Sequence, residues 1–349
     1  MTLDSRLREH AARAASLPPS DSWTVTQLAG QASNRAYYRV ATPGASYVLM
    51  VMPEGAGPEE VTSGEAPEEL PFVNVHRYLE RLGVRVPRIF DWDEAAGIMV
   101  LEDLGDVTFE AGLALQGGGA SRREALYGRA VDLLAAMRAK ADADRDAGCL
   151  AWGRAFDFSL YRWEFDHFLE WGLQARHGVK LPGEEASRVA ALGDSICRAL
   201  AELPRGFTHR DYQSRNLMLL EGDELVLIDF QDALQGPRQY DLVALLRDSY
   251  VELELPFVEE MVRRYLSRLA EAGGPSLDAE SFLADFHLLT VQRKLKDAGR
   301  FVFIDRVKKN PSFLPWIPSS LRYVREALSK RPELADLHRI LAAHVPELS

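Results

Sequence analysis

Apolar residues in roughly the first hundred positions recur at strand spacing, and most of the remaining chain repeats them at helical spacing. Residues 3 to 16 alternate charge with Leu and Ala, which predicts a short amphipathic helix ended by Pro18-Pro19. Strands follow at Thr24 to Leu28, at Tyr37 to Val40 and at Ser46 to Met52. The stretch 54–71 is rich in Gly, Pro and Glu and predicts a loop. Phe72, Val75, Leu79 and Leu82 then mark a helix stopping at Gly83, and Arg85–Trp92 with Gly97–Leu101 make another strand pair. Five strands and one helix make a small N-terminal lobe, residues 1–103. A larger helical lobe, residues 104–349, carries apolar stripes at Leu126–Met137, Phe158–Trp171 and Leu192–Leu200, with helices after the chain break at Gly236-Pro237 beginning near 240, 256, 278 and 319. The aromatics of 158–171 read as core.

One stretch interrupts the helical pattern. Leu217–Leu220 and Leu225–Ile228 form two short apolar strands joined by a turn at Glu221-Gly222-Asp223. That hairpin carries Asp229 back beside Asn216, and Asn216 itself closes the run His209-Arg210-Asp211-x-x-x-x-Asn216. A carboxylate to receive a hydroxyl proton (Asp211) and an amide with a second carboxylate to hold metal (Asn216, Asp229) are what magnesium-dependent phosphoryl transfer from ATP requires. The joint match of residue type, order and strand context separates this reading from an ordinary charged turn.

Composition narrows the field. The 349 residues suffice for two lobes, and 47% hydrophobic with 27% charged residues describes a globular protein. A formal net charge of −11 argues against a nucleic-acid or anionic-membrane partner, although Arg210, Arg215 and Arg238 fall together around the motif where phosphates would sit. Two cysteines outside any C-x-x-C, and eight histidines without ligand spacing, predict neither disulfide nor zinc. No apolar leader or membrane-length run is read, so the expectation is a cytoplasmic protein, monomeric or a weak homodimer.

Two further segments bear on nucleotide binding, each with a plainer alternative. The small-residue turn 29–34, with Gly30, Ala32 and Ser33, sits between strands as a phosphate-covering hairpin would, or as an ordinary turn. The Glu102-Asp103-Leu104-Gly105 step leaves the first lobe where backbone groups near Glu102 and Leu104 could pair with an adenine edge, or is a strand-to-helix turn.

The sequence resembles the aminoglycoside phosphotransferase family, small-molecule kinases of protein-kinase-like fold. Within it the likeness is nearest to bacterial anomeric kinases acting on N-acetylmuramate and N-acetylglucosamine in cell-wall recycling. The resemblance rests on Ala32–Val40, His209–Met218, Ile228–Ala233, Gly236-Pro237, Tyr240–Val243 and Leu246–Tyr250, with fainter echoes at Arg162–Glu164, Glu170-Trp171 and Gln292–Lys296. It implies an α+β two-lobed fold, ATP and Mg2+ as cofactors, Asp211 as catalytic acid–base residue, and a small sugar as acceptor. The third strand departs from the family's pattern: it has no lysine, and Asn74 stands near where its acidic partner is expected. Arg35 or Arg39 is the expected substitute cation. Glu164, Arg215, Gln231 and Asp232 are the candidates for the acceptor side, and Asp241 is either a helix cap or a brace for the catalytic loop. A protein kinase is disfavoured by Gln213 and by Asp229-Phe230-Gln231 without glycine. The competing readings are an aminoglycoside or choline-like kinase, with Glu164, Asp166, Glu170 and Asp232 as an acidic pocket, and a nucleotide-binding pseudokinase.

Overall fold

The computed structural model describes residues 2–28, 35–52, 69–115 and 119–349. Gly30, Ala32 and Ser33, and most of the expected loop 54–71, lie outside the described residues.

The fold is α+β. Helix α1 (Leu3–Ala15) precedes strands β1 (Thr24–Gln27), β2 (Ala36–Thr42) and β3 (Ala45–Val51); helix α2 (Pro71–Arg81) precedes β4 (Ile89–Asp93) and β5 (Ile98–Glu102). They form one antiparallel sheet in the order β1-β2-β3-β5-β4. Alternation along each strand gives the sheet two apolar faces. Val40, Leu49, Ile98 and Val100 pack outward beneath α1, against Leu7, Ala11 and Trp23. Met50, Met99 and Leu101 face inward and join α2 to the core of the helical part. The fourth strand starts later than the pattern suggests, because Pro87 cannot donate to a ladder.

The remainder is largely helical: α3 (Phe109–Ala114), α4 (Gly119–Ala143), α5 (Phe158–His167), a π-helical segment (Phe168–Ala175) and α6 (Gly183–Glu202) lead to the motif region. There β6 (Arg205–Thr208) pairs with β9 (Leu234–Pro237), and β7 (Leu217–Leu219) pairs with β8 (Leu225–Leu227). Helices α7 (Gln239–Leu246), α8 (Leu255–Glu271), α9 (Ala279–Lys308), α10 (Ile317–Ser329) and α11 (Ala335–Ala342) complete the chain. Among the described residues no helix is long and apolar enough to cross a membrane.

Three differences from the sequence pattern shape the site. Gly236-Pro237 does not break the chain but ends β9, an edge position where a missing N–H is tolerated. The aromatic helix is α-helical only to His167 and then widens to π geometry, a form often found at functional sites. The helix expected from near 278, α9, runs to Lys308 and passes through Gly299, which marks a helix crossing. A Cβ there would lie 2.9 Å from Phe168 Cα and 3.0 Å from His167 O, so only glycine admits this approach.

Candidate active site

The β7–β8 hairpin forms as its sequence implies. Leu217 faces Leu227, Leu219 faces Leu225, and Gly222 turns the chain at φ +73°. The Ile228 N–H donates to Asn216 O at 3.1 Å, which fixes Asp229 beside Asn216. The Asn216 side-chain amide donates to Asp211 O (2.9 Å) and approaches Asp229 Oδ2 (3.4 Å). The three motif residues therefore share one connected cluster.

The catalytic loop is held from below. Asp241, in the first turn of α7, accepts the N–H groups of His209 (2.7 Å) and Arg210 (2.9 Å), so it braces the loop. His209 Nδ1 accepts the Asp211 N–H (3.2 Å), which leaves the ring proton on Nε2 to donate to Ile228 O (3.0 Å). Burial in this position lowers the His209 pKa and keeps the ring neutral. Arg210 and Asp229 both have left-handed backbone, φ +81° and +64°, a conformation unfavourable for residues with a Cβ. Two strained residues facing each other across one site are maintained by this network.

Electrostatics divide the two carboxylates. Desolvation in the cleft would raise the Asp211 pKa, but the charges of Lys296, Arg293 and Arg210 outweigh it and hold the group below the ordinary range. Asp229 is pushed up to about 6, by desolvation first and then by the neighbouring Asp211 and Asp232 charges, against Gln231 and Arg35. Solvent reaches Asp229, yet protein surrounds it on most sides, and crowded carboxylates of this kind favour a cation between them. Asp229 and the Asn216 amide oxygen suit a magnesium ion, which takes one or two protein oxygens and completes its shell with phosphate and water. Among the described residues no group of three or more His, Cys, Asp or Glu forms a metal cage.

The remaining candidates distribute unevenly. Arg35 hydrogen-bonds the Tyr37 hydroxyl and is near enough to Asp229 to favour its charged form. Arg39 does not point at the cluster: its guanidinium makes four hydrogen bonds to Asp103 and Asp106, 2.7 to 3.0 Å, pinning the segment after β5 to the sheet. Glu102 is likewise occupied, its carboxylate held by Arg85 at 2.5 and 2.8 Å, while Leu104 follows half-buried. Gln231 donates to Asp229 Oδ1 at 2.7 Å and so orients that carboxylate. Asp232 is exposed beside it.

Glu164 is fully buried under the loop, within the field of Arg293 and Tyr240. Arg215 is clamped by Glu110 (2.5 and 3.0 Å) and stacks 3.6 Å from the Tyr250 ring centre. Arg238 pairs with Asp142, so Arg210, Arg215 and Arg238 form no common phosphate patch. Asn74 bonds Glu69 and the 148–150 backbone, away from the β3 face that carries Val48 and Met50.

Helix α9 supplies what the sequence pattern did not single out. Arg293, nearly fully buried, donates to Arg210 O (2.8 Å) and Asp211 Oδ1 (3.3 Å) and lies over the Tyr240 ring. Lys296 is the next cation along the same face. The signal in the sequence was the Gln292–Lys296 run, with three cations in a segment that is otherwise core.

A sheet tethered to a helical part, with the Asp211 loop and the Asp229 hairpin between them, has a kinase-like arrangement, and the chain belongs to the phosphotransferase enzyme family, whose model matches residues 24–279. The chain is 37% identical, over 94% of its length and 89% of the relative's, to the N-acetylmuramate/N-acetylglucosamine kinase of Pseudomonas aeruginosa. Among solved structures it superposes on choline kinase from Cryptosporidium parvum with a TM-score of 0.62, at 13% identity over 99% of this chain and 100% of the other. An ADP-bound aminoglycoside phosphotransferase gives 0.55 at 13% identity, over 93% and 99% of the two chains. At such identities the solved structures speak for the fold alone.

Proposed function

We propose that this phosphotransferase moves the γ-phosphoryl group of ATP, with Mg2+, to the anomeric (C1) hydroxyl of N-acetylmuramate or N-acetylglucosamine. The N-terminal sheet with residues 1–103 would carry the nucleotide, and residues 104–349 the catalytic loop and acceptor. Magnesium bound at Asp229 and Asn216 would neutralise phosphate charge. Asp211, ionised and held by Arg293, is positioned to take the acceptor hydroxyl's proton. Arg35 is the cation nearest the phosphate side, in place of a third-strand lysine.

The observation that carries the acceptor reading is the sign of the charge beside Asp211. Arg293 and Lys296 approach it from α9, and a polycationic aminoglycoside or a choline-like cation would meet repulsion there. Two of the four acidic candidates for such a substrate are otherwise engaged: Asp166 is paired with Arg162 and Glu164 is sealed in the core. A neutral or anionic acetamido sugar meets no such penalty. The intact Asp211, Asn216 and Asp229 cluster supports turnover over a pseudokinase. The test is a screen of N-acetylmuramate, N-acetylglucosamine, choline and aminoglycosides with ATP–Mg, with phosphorus NMR locating the product. Phosphorylation of choline or an aminoglycoside, with neither sugar accepted, contradicts the proposal.

A further inference from the structure

Kinase-like sites place a lysine on the third strand, over the phosphates, and protein kinases add another two residues after the catalytic aspartate. Here the inward face of β3 carries Val48 and Met50, and Gln213 stands two residues after Asp211. Neither position supplies a charge to the phosphoryl group in flight.

Helix α9 brings a cation from the opposite side. Arg293 fixes the register of the helix against the loop through Arg210 O and Asp211 Oδ1. Lys296 lies three residues on and so shares that face. Its side chain is only 12% exposed, and Asp297 lies 3.7 Å from its ammonium. Among the described residues it makes no ion pair with Asp211 within 4.0 Å, although it acts on Asp211 ahead of Arg293 among the neighbouring charges. A cation close to the proton acceptor, but not in contact with it, leaves room between the two for the reacting oxygen and the phosphoryl group.

We propose that Lys296 is a catalytic residue that donates hydrogen bonds to the transferring phosphoryl group from the acceptor side. This deepens the phosphotransfer reading and rests on it. As the acceptor oxygen bonds to the γ-phosphorus, its proton passes to Asp211. The bond from γ-phosphorus to the β–γ bridging oxygen breaks, and its electron pair stays with the departing ADP. Lys296 offsets the negative charge on the phosphoryl oxygens from the acceptor side, and a metal ion held by Asp229 and Asn216 would offset it from the other. Arg293 cannot take this role, because it is sealed beneath the loop with Tyr240; it orients Asp211.

The test compares Lys296→Met and Lys296→Arg with wild type. Loss of one preorganised donor lowers kcat by about 100-fold or more. We expect Lys296→Met to show that loss equally on N-acetylmuramate and N-acetylglucosamine, with little change in either KM, and Lys296→Arg to recover part of the rate. A second readout needs no turnover. Calorimetry with ADP–Mg and tetrafluoroaluminate, which mimics the planar phosphoryl group, should show binding weakened about 100-fold in Lys296→Met while ADP–Mg alone binds as in wild type.

A loss confined to N-acetylmuramate would make Lys296 a reader of the lactyl carboxylate and overturn the assignment. Unchanged fluoroaluminate binding, or an equal loss of ADP binding with a lowered Tm, would overturn it too. If wild type accepts neither sugar, the acceptor reading fails while the fluoroaluminate measurement, made without sugar, still decides Lys296.

Discussion

The carboxylate of Asp241 holds the backbone of His209 at 2.7 Å, and the same carboxylate takes the N–H of Arg210 at 2.9 Å. Arg210 is in the left-handed region and immediately precedes Asp211, so the brace offsets strain at the point where the proton acceptor is aimed. In Asp241→Asn an N–H of the new amide faces one of these two donors. We expect a cost of about 1–3 kcal/mol in stability and a fall in kcat of at least about tenfold, with ADP affinity nearly unchanged. Thermal unfolding and steady-state kinetics measure both; a wild-type kcat would reduce Asp241 to a helix cap.

The metal site makes an asymmetric prediction. Asp229 offers a carboxylate and Asn216 a single amide oxygen, so Asp229→Ala should abolish magnesium-dependent ATP binding while Asn216→Ala keeps part of it and loses rate. Calorimetry with and without magnesium separates the two. Unchanged ATP–Mg binding in Asp229→Ala would leave Asp229 as a strand-end residue only.

Arg35, just before β2, and Arg39, within it, should behave differently. Arg35 lies by Asp229, so Arg35→Ala should raise the KM for ATP at least tenfold, about 1.4 kcal/mol. Arg39 is consumed by Asp103 and Asp106 and should affect stability more than KM. A rise in KM in Arg39→Ala alone would reverse the assignment.

How much of this was legible in the sequence follows from the range of each interaction. The β7–β8 hairpin and its three motif residues were readable because local spacing and strand pairing alone bring Asn216 to Asp229. The five N-terminal strands were readable from alternation, apart from the late start of β4 after Pro87. Arg35 and Arg39 are equal candidates in the sequence because nothing local reveals that Asp103 and Asp106, more than sixty positions later, fold back onto Arg39. Arg293 and Lys296 were seen as a resemblance and not as site residues, since only the packing of α9 brings them to Asp211. The reach of α9 through Gly299 was not legible, because what requires a glycine there, the backbone of Phe168, lies far away in the sequence.

A pH effect on stability follows from His287 in α9. Burial first, then Arg247, Lys330 and Arg331, lowers its pKa to about 4, so the folded protein keeps the ring neutral. The unfolded chain takes up a proton below about pH 6.5, and the folded one only near 4, so stability falls as pH drops through that window. The full loss from this residue is roughly 3 kcal/mol. Denaturant titrations of wild type and His287→Leu should show a shallower decline for the variant between these limits; equal slopes would exclude His287 as the source.

The anomeric hydroxyl exists only on a reducing sugar. Asp211 would activate any hydroxyl presented to it, so the discriminating measurement is ATP-dependent phosphorylation of N-acetylglucosamine beside its 1-O-methyl glycoside under identical conditions. Methylation removes that one nucleophile and leaves the other hydroxyls and the acetamido group in place. The free sugar should be turned over to its 1-phosphate and the glycoside not at all. Efficient phosphorylation of the methyl glycoside would rule out C1 as the acceptor position.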